Sequence, residues 1–129
     1  LGGNRVVGTP LDGGGDGKPA VLLFFASWCA PCQSEVPMIA AAYRAERSGR
    51  IAVIGVDGRD PTGEALAFVH KSGVTFPVAD DGDYQVTEGL YAFNGDPDAV
   101  FINANGTIEH IVHGPITRAE FVGWERRLR

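Results

Sequence analysis

The chain has 129 residues, of which 44% are hydrophobic and 21% are charged, and this size and composition suit one domain with a single core. Sixteen acidic side chains outnumber eleven basic ones, and the net charge of -5 argues against DNA or RNA as a partner. The longest apolar run, Ala20 to Ala26, is too short to span a bilayer. We therefore predict one domain over residues 1–129, with a glycine-rich segment at about 1–18.

The first half of the chain has the pattern of two strand-and-helix units. The continuous apolar run Ala20–Phe25 predicts a strand that is buried on both faces. A stretch rich in alanine and glutamate predicts a long helix from Ala30 to Ser48. Ile51–Val56 has the pattern of a second buried strand, after which Asp60 and Pro61 predict the cap and the first turn of a second helix.

The second half of the chain predicts shorter elements. Val74–Ala79 has the composition of a short edge strand, and Tyr84–Tyr91 that of a short helix. Two strand-like runs follow, at Ala99–Ile102 and Thr107–Val112. They are joined through Asn105-Gly106, a dipeptide that favours a two-residue turn, so we expect an antiparallel hairpin.

A closing helix completes the predicted order of elements. Thr117 and Glu120 have the spacing of a capping box, and the apolar residues Phe121, Trp124 and Leu128 follow on one helix face. Two strand-and-helix units, a hairpin and a final helix suit an α/β fold. We predict a three-layer sandwich in which a central mixed sheet has helices on both faces.

The only two cysteines of the chain, Cys29 and Cys32, lie where the first strand gives way to the first helix. At the start of a helix, two cysteines with this spacing can form a disulfide without distorting the helix. Cys29 would occupy the cap position, where unpaired amides and the helix dipole favour a thiolate, while Cys32 would be shielded one turn further on. The spacing thus predicts a nucleophile and a resolving thiol.

Other uses of a cysteine pair have less support. A structural zinc site needs two more ligands, and the only histidines, His70, His110 and His113, do not form a second ligand pair. Attachment of a c-type haem needs histidine directly after the second cysteine, where this chain has Gln33. Two alternatives stay open. The cysteines could be inert thiols, or the chain could be a module that binds a protein or a copper ion through the pair without turnover.

The segment from Phe24 to Pro37, FFASWCAPCQSEVP, resembles the active-site segment of the TlpA/ResA/DsbE (CcmG-like) branch of the thioredoxin-like proteins. Gly73–Pro77 and Tyr91–Gly106 are similar to later segments of the same branch. The resemblance implies a thioredoxin-like fold for the whole chain. It also implies an exported, often membrane-tethered protein that reduces other proteins, for example in cytochrome c maturation.

The resemblance also carries roles over to single residues. Pro97 matches the family's cis-proline, which packs against the cysteine pair and shapes the groove for an extended substrate. Glu35 matches the acid that ResA-like members carry in the active-site cavity, where it would move the proton of Cys32. The buried carboxylate that thioredoxins carry on the preceding strand falls here on Leu23, so Glu35 is the nearest candidate for that role. The plainer alternative for Glu35 is an exposed helical side chain.

Residues on either side of these positions are candidates for contact with the substrate. Asp96 stands before Pro97, and its charge would disfavour a thiolate at Cys29 and make the protein a better reductant, unless it is an exposed loop residue. The indole next to Cys29 offers a flat apolar surface to a partner chain. The predicted substrate-binding residues are Trp28, Ala30, Pro31 and Asp96.

The sequence thus predicts an exported thiol-disulfide oxidoreductase that acts as a reductant through Cys29 and Cys32, with no metal and no organic cofactor. Protein thiols or disulfides, such as apocytochrome c, and an upstream electron donor or acceptor in the membrane are the expected partners of a monomer. Because Leu1 is not a natural start, we also expect that an anchoring or targeting segment is missing. The alternative enzyme is an oxidant that forms disulfides in secreted proteins.

Overall fold

A computed structural model describes residues 17–46, 48–58, 60–81 and 97–129. Five strands and three helices lie in these ranges. In chain order they are β1 (Ala20–Phe25), α1 (Ala30–Ala45), β2 (Ala52–Gly58), α2 (Thr62–Lys71), β3 (Val78–Asp81), β4 (Asp98–Ile102), β5 (Ile108–His113) and α3 (Arg118–Arg127). No helix in the described ranges has the length and apolar character that crossing a bilayer requires.

The strands form one mixed sheet in the order β3-β2-β1-β4-β5. β1, β2 and β3 are parallel, whereas β4 is antiparallel to β1 and to β5. β1 is therefore central, as its unbroken apolar run predicts, and all six of its residues are buried. The α/β architecture with a central mixed sheet is confirmed.

Alternate residues of β1 build two cores, one on each face of the sheet. On the first face, Val21, Leu23 and Phe25 pack with apolar residues of α1 and α3, and Phe68 of α2 packs against the same cluster. On the second face, Leu22 and Phe24 pack with residues of β2 and β4. Because both faces of β1 are apolar, polar groups next to this central strand lie at the ends of the strands.

Several element ends differ from their predictions, among them the end of α1, the start of β3 and the cap of α2. α1 ends at Ala45 rather than Ser48, because the backbone of Glu46 becomes extended and its amide returns to the last turn. β3 begins at Val78, although its place at the edge of the sheet is confirmed. The cap of α2 is Pro61, so the prediction that Asp60 caps this helix is wrong.

The antiparallel pairing of β4 and β5 is confirmed, but the predicted two-residue turn is wrong. Asn103 donates its amide to the carbonyl of Thr107, and Gly106 donates to Asn103, so the loop contains three residues. Gly106 has a φ of 89°, the left-handed conformation that closes such three-residue loops. The capping box of Thr117 and Glu120 is present as predicted. The predicted short helix Tyr84–Tyr91 and the glycine-rich start lie outside the described residues.

Gly55 lies in the middle of β2 at a point of close packing. A Cβ added there would be 2.8 Å from a ring carbon of Phe25, 3.1 Å from Val78 and 3.2 Å from Phe76. We expect Gly55→Ala to lower the free energy of unfolding by about 1–3 kcal/mol, because the core cannot accept the methyl group without moving these side chains. Urea denaturation measures the change.

Gly123→Ala is the matched control for this prediction. Gly123 lies inside α3, and a Cβ there would meet nothing within 4 Å. Since alanine favours helix more than glycine does, this variant should be more stable by up to about 1 kcal/mol. Equal effects of the two substitutions would show that crowding at Gly55 is not the cause.

Candidate active site

Cys29 and Cys32 lie at the junction between β1 and α1. Cys29 is the cap residue of α1, with φ -85° and ψ 114°, and its sulfur accepts a hydrogen bond from the amide of Cys32 at 3.3 Å. The two residues form a disulfide, and their Cα atoms are 5.2 Å apart. The predicted position of Cys29 at the first unpaired amides of the helix is therefore confirmed.

The two cysteines differ in their access to solvent. Cys32 is fully buried, whereas the exposed fraction of Cys29 is 5%. Trp28 is 56% exposed, which makes it the most exposed large hydrophobic residue in the described ranges. Ala30 and Pro31 are exposed as well. The predicted contact residues Trp28, Ala30 and Pro31 thus form an accessible surface around Cys29, the outer cysteine.

A carboxylate holds the segment that leads into the cysteines. Both the amide and the hydroxyl of Ser27 donate to the carboxylate of Asp60, at 2.7 Å and 2.6 Å. Asp60 is buried and follows β2, the neighbour of β1 in the sheet. It therefore fixes the start of the active-site segment rather than the start of α2.

Replacing Asp60 with alanine should weaken this attachment. Two hydrogen bonds to a carboxylate disappear, so we expect the free energy of unfolding to fall by about 2 kcal/mol. Ser27→Ala removes only the hydroxyl bond and should cost less. Urea denaturation of both variants measures the difference, and an unchanged stability of Asp60→Ala would contradict the assigned role.

Glu35 lies one turn after Cys32 on α1 and is buried, with 5% of its surface exposed. One of its oxygens accepts a hydrogen bond from the amide of Ile116 at 2.6 Å, and the other has no hydrogen-bond partner among the described residues. Burial raises the pKa of Glu35 from 4.5 to about 7, assisted by the charge of Asp98 and opposed by the Ile116 amide. Glu35 is thus a buried carboxyl that changes charge near neutral pH.

Pro97 directly precedes β4 and is buried. Its carbonyl accepts a hydrogen bond from the amide of Gly114 at 2.7 Å. Because Asp98 pairs with Phe24 near the end of β1, Pro97 lies at the same end of the sheet as Cys29. The predicted contact residue Asp96, and its bond to Pro97, lie outside the described residues.

A family model for the AhpC/TSA family matches residues 11–111, which include the cysteine pair and all five strands but the last two residues of β5. The chain belongs to the AhpC/TSA family. Members of this family share the thioredoxin-like arrangement described above, so the family assignment agrees with the sheet order and with the cysteines at the start of α1.

Two curated relatives refine this assignment. The thiol-disulfide oxidoreductase ResA of Oceanobacillus iheyensis is 33% identical over 111 residues, which are 84% of this chain and 56% of that protein. A thiol:disulfide interchange protein DsbE homolog of Paracoccus denitrificans is 37% identical over 109 residues, which are 81% of this chain and 56% of that protein. This AhpC/TSA-family chain thus spans little more than half the length of either relative.

Solved structures agree with the sequence relatives. A secreted Mycobacterium tuberculosis disulfide oxidoreductase homologous to DsbE of E. coli has a TM-score of 0.77 and 29% identity, over 87% of this chain and 83% of that one. StoA from Bacillus subtilis has a TM-score of 0.70 and 26% identity, over 84% of this chain and 82% of that one. The resemblance to the ResA and DsbE branch is confirmed.

Sequence reasoning missed the burial of three carboxylates at the same end of the sheet as the cysteines. Asp57 is fully buried opposite Phe25, and Asp60 and Asp98 are nearly so. Their position in the sequence is a signal that could have indicated this burial, because each stands at the start of an apolar strand or within two residues of its end. Together with Glu35 they make this end of the sheet acidic. The described residues contain no group of three or more potential ligands that suits a metal ion.

A groove runs beside the cysteine segment, between α1 and α2. Ser27, Gln33 and Pro37 line one side, and Phe68 and Lys71 line the other, around a volume of about 340 Å³. A larger cavity of about 490 Å³ lies at the other end of the sheet, next to the first residues of β2. Of these two cavities, the smaller one adjoins the segment that carries Trp28 and Cys29.

Proposed function

We propose that this chain is a thiol-disulfide oxidoreductase that exchanges the Cys29–Cys32 dithiol or disulfide with protein substrates. The observation that carries the proposal is the position of Cys29, which caps α1 and receives the amide of Cys32 at its sulfur. A sulfur in this position is stabilised as a thiolate, which is the form that attacks disulfides. The names of the ResA and DsbE relatives support the same activity.

Reduction of a substrate proceeds in two exchanges. The Cys29 thiolate attacks the substrate disulfide, the S–S bond breaks, and one substrate sulfur leaves as a thiol after it takes a proton. Cys32 then attacks the sulfur of Cys29, closes the intramolecular disulfide and releases the second substrate thiol. The substrate gains two electrons, which the dithiol of this chain loses.

Glu35 is the proposed proton acceptor for Cys32. A buried thiol must lose its proton before it attacks, and Glu35 is the buried carboxyl one turn away on the same helix. A base works best when its pKa is close to the working pH, and burial brings the pKa of Glu35 to about 7. When the disulfide is reduced again, the same proton returns to Cys32.

The substrate is proposed to dock as an extended polypeptide across Trp28, Ala30, Pro31 and Pro97. Trp28 offers an exposed apolar ring next to Cys29, and the groove along Gln33 and Phe68 continues that surface. Pro97 has no backbone amide and stands at the start of β4, at the end of the sheet that carries Cys29, and we propose that an extended chain docks there. Asp96 is proposed to lie beside the same site.

We propose that the chain works as a reductant. Carboxylates at this end of the sheet, including Glu35 and Asp60, oppose a negative charge on Cys29, and a less stable thiolate makes the dithiol a better electron donor. The proposed substrate class includes apocytochrome c, and a membrane donor would return the electrons. We propose an extracytoplasmic location, in line with the secreted relative of known structure, no metal, no organic cofactor and a monomeric state.

The experiment compares both directions of electron flow. Insulin reduction with dithiothreitol as the electron source tests the reductant, and refolding of a reduced disulfide protein tests the oxidant. We expect this chain to accelerate insulin reduction and to have little effect on refolding. Acceleration of refolding alone would show that the chain is an oxidant. No effect in either assay would favour the alternative of a module that binds a partner without turnover.

A further inference from the structure

One short segment after β5 holds two buried carboxylates of the site. The amide of Gly114 donates to Asp98 at 3.3 Å, and the amide of Ile116 donates to Glu35 at 2.6 Å. His113, the last residue of β5, places its Nδ1 atom 3.0 Å from an oxygen of Asp98. The segment therefore links Asp98 and Glu35 and begins with a histidine.

The three side chains differ in exposure. Asp98 and Glu35 are 2% and 5% exposed, whereas the side chain of His113 is 40% exposed. The Nδ1 atom of His113 is within hydrogen-bond distance of the Asp98 carboxylate. Of the three groups, His113 is thus the one that is accessible to solvent.

We propose that His113 is a positioning residue for proton transfer at Glu35: its imidazole, held beside Asp98, weakens the effect of the Asp98 charge on Glu35 and so governs the ionisation of Glu35. This role depends on the proposed function, because ionisation of Glu35 affects turnover only if the cysteine pair is redox-active. The charge of Asp98 is one of the causes that raise the pKa of Glu35, which supports the link between the two carboxylates.

The neighbouring charged groups of β5 have other partners. Glu109 accepts a hydrogen bond from Asn103 at 3.0 Å, and the ring of His110 stacks on Trp124 with 3.7 Å between centroids. Asp98 from β4 contacts His113 directly, and the charge of Asp98 acts in turn on Glu35 from α1. His110 is on the same strand and serves as the matched control.

The test follows the reduction of oxidised glutathione by the fully reduced protein in stopped flow from about pH 5 to pH 9. Release of the second glutathione reports the step in which Cys32 gives up its proton. We expect a pH transition that Glu35→Gln removes. His113→Gln should raise the midpoint of the transition by about half a pH unit or more, because an amide offsets the charge of Asp98 less than the imidazole does.

His113→Lys should lower the same midpoint, because its positive charge is always present, and His110→Gln should leave it unchanged. If the midpoint does not move in either His113 variant and Glu35→Gln still removes the transition, the role of His113 is overturned and the proposed function stays intact. A transition that survives Glu35→Gln would overturn the role of Glu35 together with that of His113. If the unaltered protein reduces neither oxidised glutathione nor insulin, the proposed function itself fails.

Discussion

Replacing Cys32 with serine should trap the protein as a mixed disulfide with its substrate. Cys29 still attacks, but the intramolecular thiol that would release the partner is gone, and no solution thiol matches its effective concentration. After incubation with a protein that contains a disulfide, non-reducing gels and mass spectrometry should show a covalent complex, which dithiothreitol separates by reducing the mixed disulfide. Turnover in the insulin assay should fall to the uncatalysed rate.

Cys29→Ser is the control for this experiment. It should also abolish turnover, but it should trap no complex, because Cys32 is fully buried and cannot reach a substrate disulfide. A complex that forms through Cys32 in this variant would reverse the assigned roles of the two cysteines. Equal trapping in both variants would contradict the order of the two exchanges.

Glu35→Gln should make the protein more stable and less active. Burial favours the protonated carboxyl, so the stability that Glu35 contributes is complete below pH 4.5 and is lost as the pH rises through about 7. A pKa difference of this size corresponds to about 3 kcal/mol at full ionisation. The glutamine variant should therefore gain about 1–3 kcal/mol over the unaltered protein at about pH 8 and nothing at about pH 4.

The same substitution should slow the exchange about a hundredfold near neutral pH, because general base catalysis by a positioned carboxylate is lost. Glu125→Gln is the matched control: burial, assisted by Glu46 and opposed by Arg50, also raises the pKa of Glu125 to about 7. That variant should gain some stability above neutral pH, less than Glu35→Gln because Glu125 is more exposed, and should keep the full exchange rate. An unchanged rate in Glu35→Gln would contradict its proposed role.

The sequence predicts those parts of the fold that depend on local patterns. The apolar run of β1 and the capping box of α3 are strong signals within a few residues, and both are present in the structure. The prediction for Asp60 is wrong because a competing partner, Ser27, lies 33 positions away and no local pattern reveals it. The predicted hairpin loop is one residue too short, because Asn105-Gly106 also suits a three-residue loop.

The features of the candidate site also fall into two groups, those that local sequence patterns predict and those that depend on distant contacts. The cysteine pair, its place at the cap of α1 and the exposed Trp28 follow from spacing and from the strand-to-helix junction. The burial of Glu35 depends on α1 facing the segment after β5, and the pairing of Asp98 with His113 depends on strand register. Such contacts join distant parts of the chain, so they required the structure.

The reduction potential of the Cys29–Cys32 couple tests the central claim most directly. The protein is equilibrated in thiol-disulfide buffers of known potential, and its free thiols are counted. We predict a reversible two-electron couple close to the value of about -270 mV typical of thioredoxin, and far from the value of about -120 mV typical of the oxidant DsbA. A cysteine pair that never forms a reversible disulfide, or one with a potential near that of DsbA, would contradict the proposal of a reducing oxidoreductase.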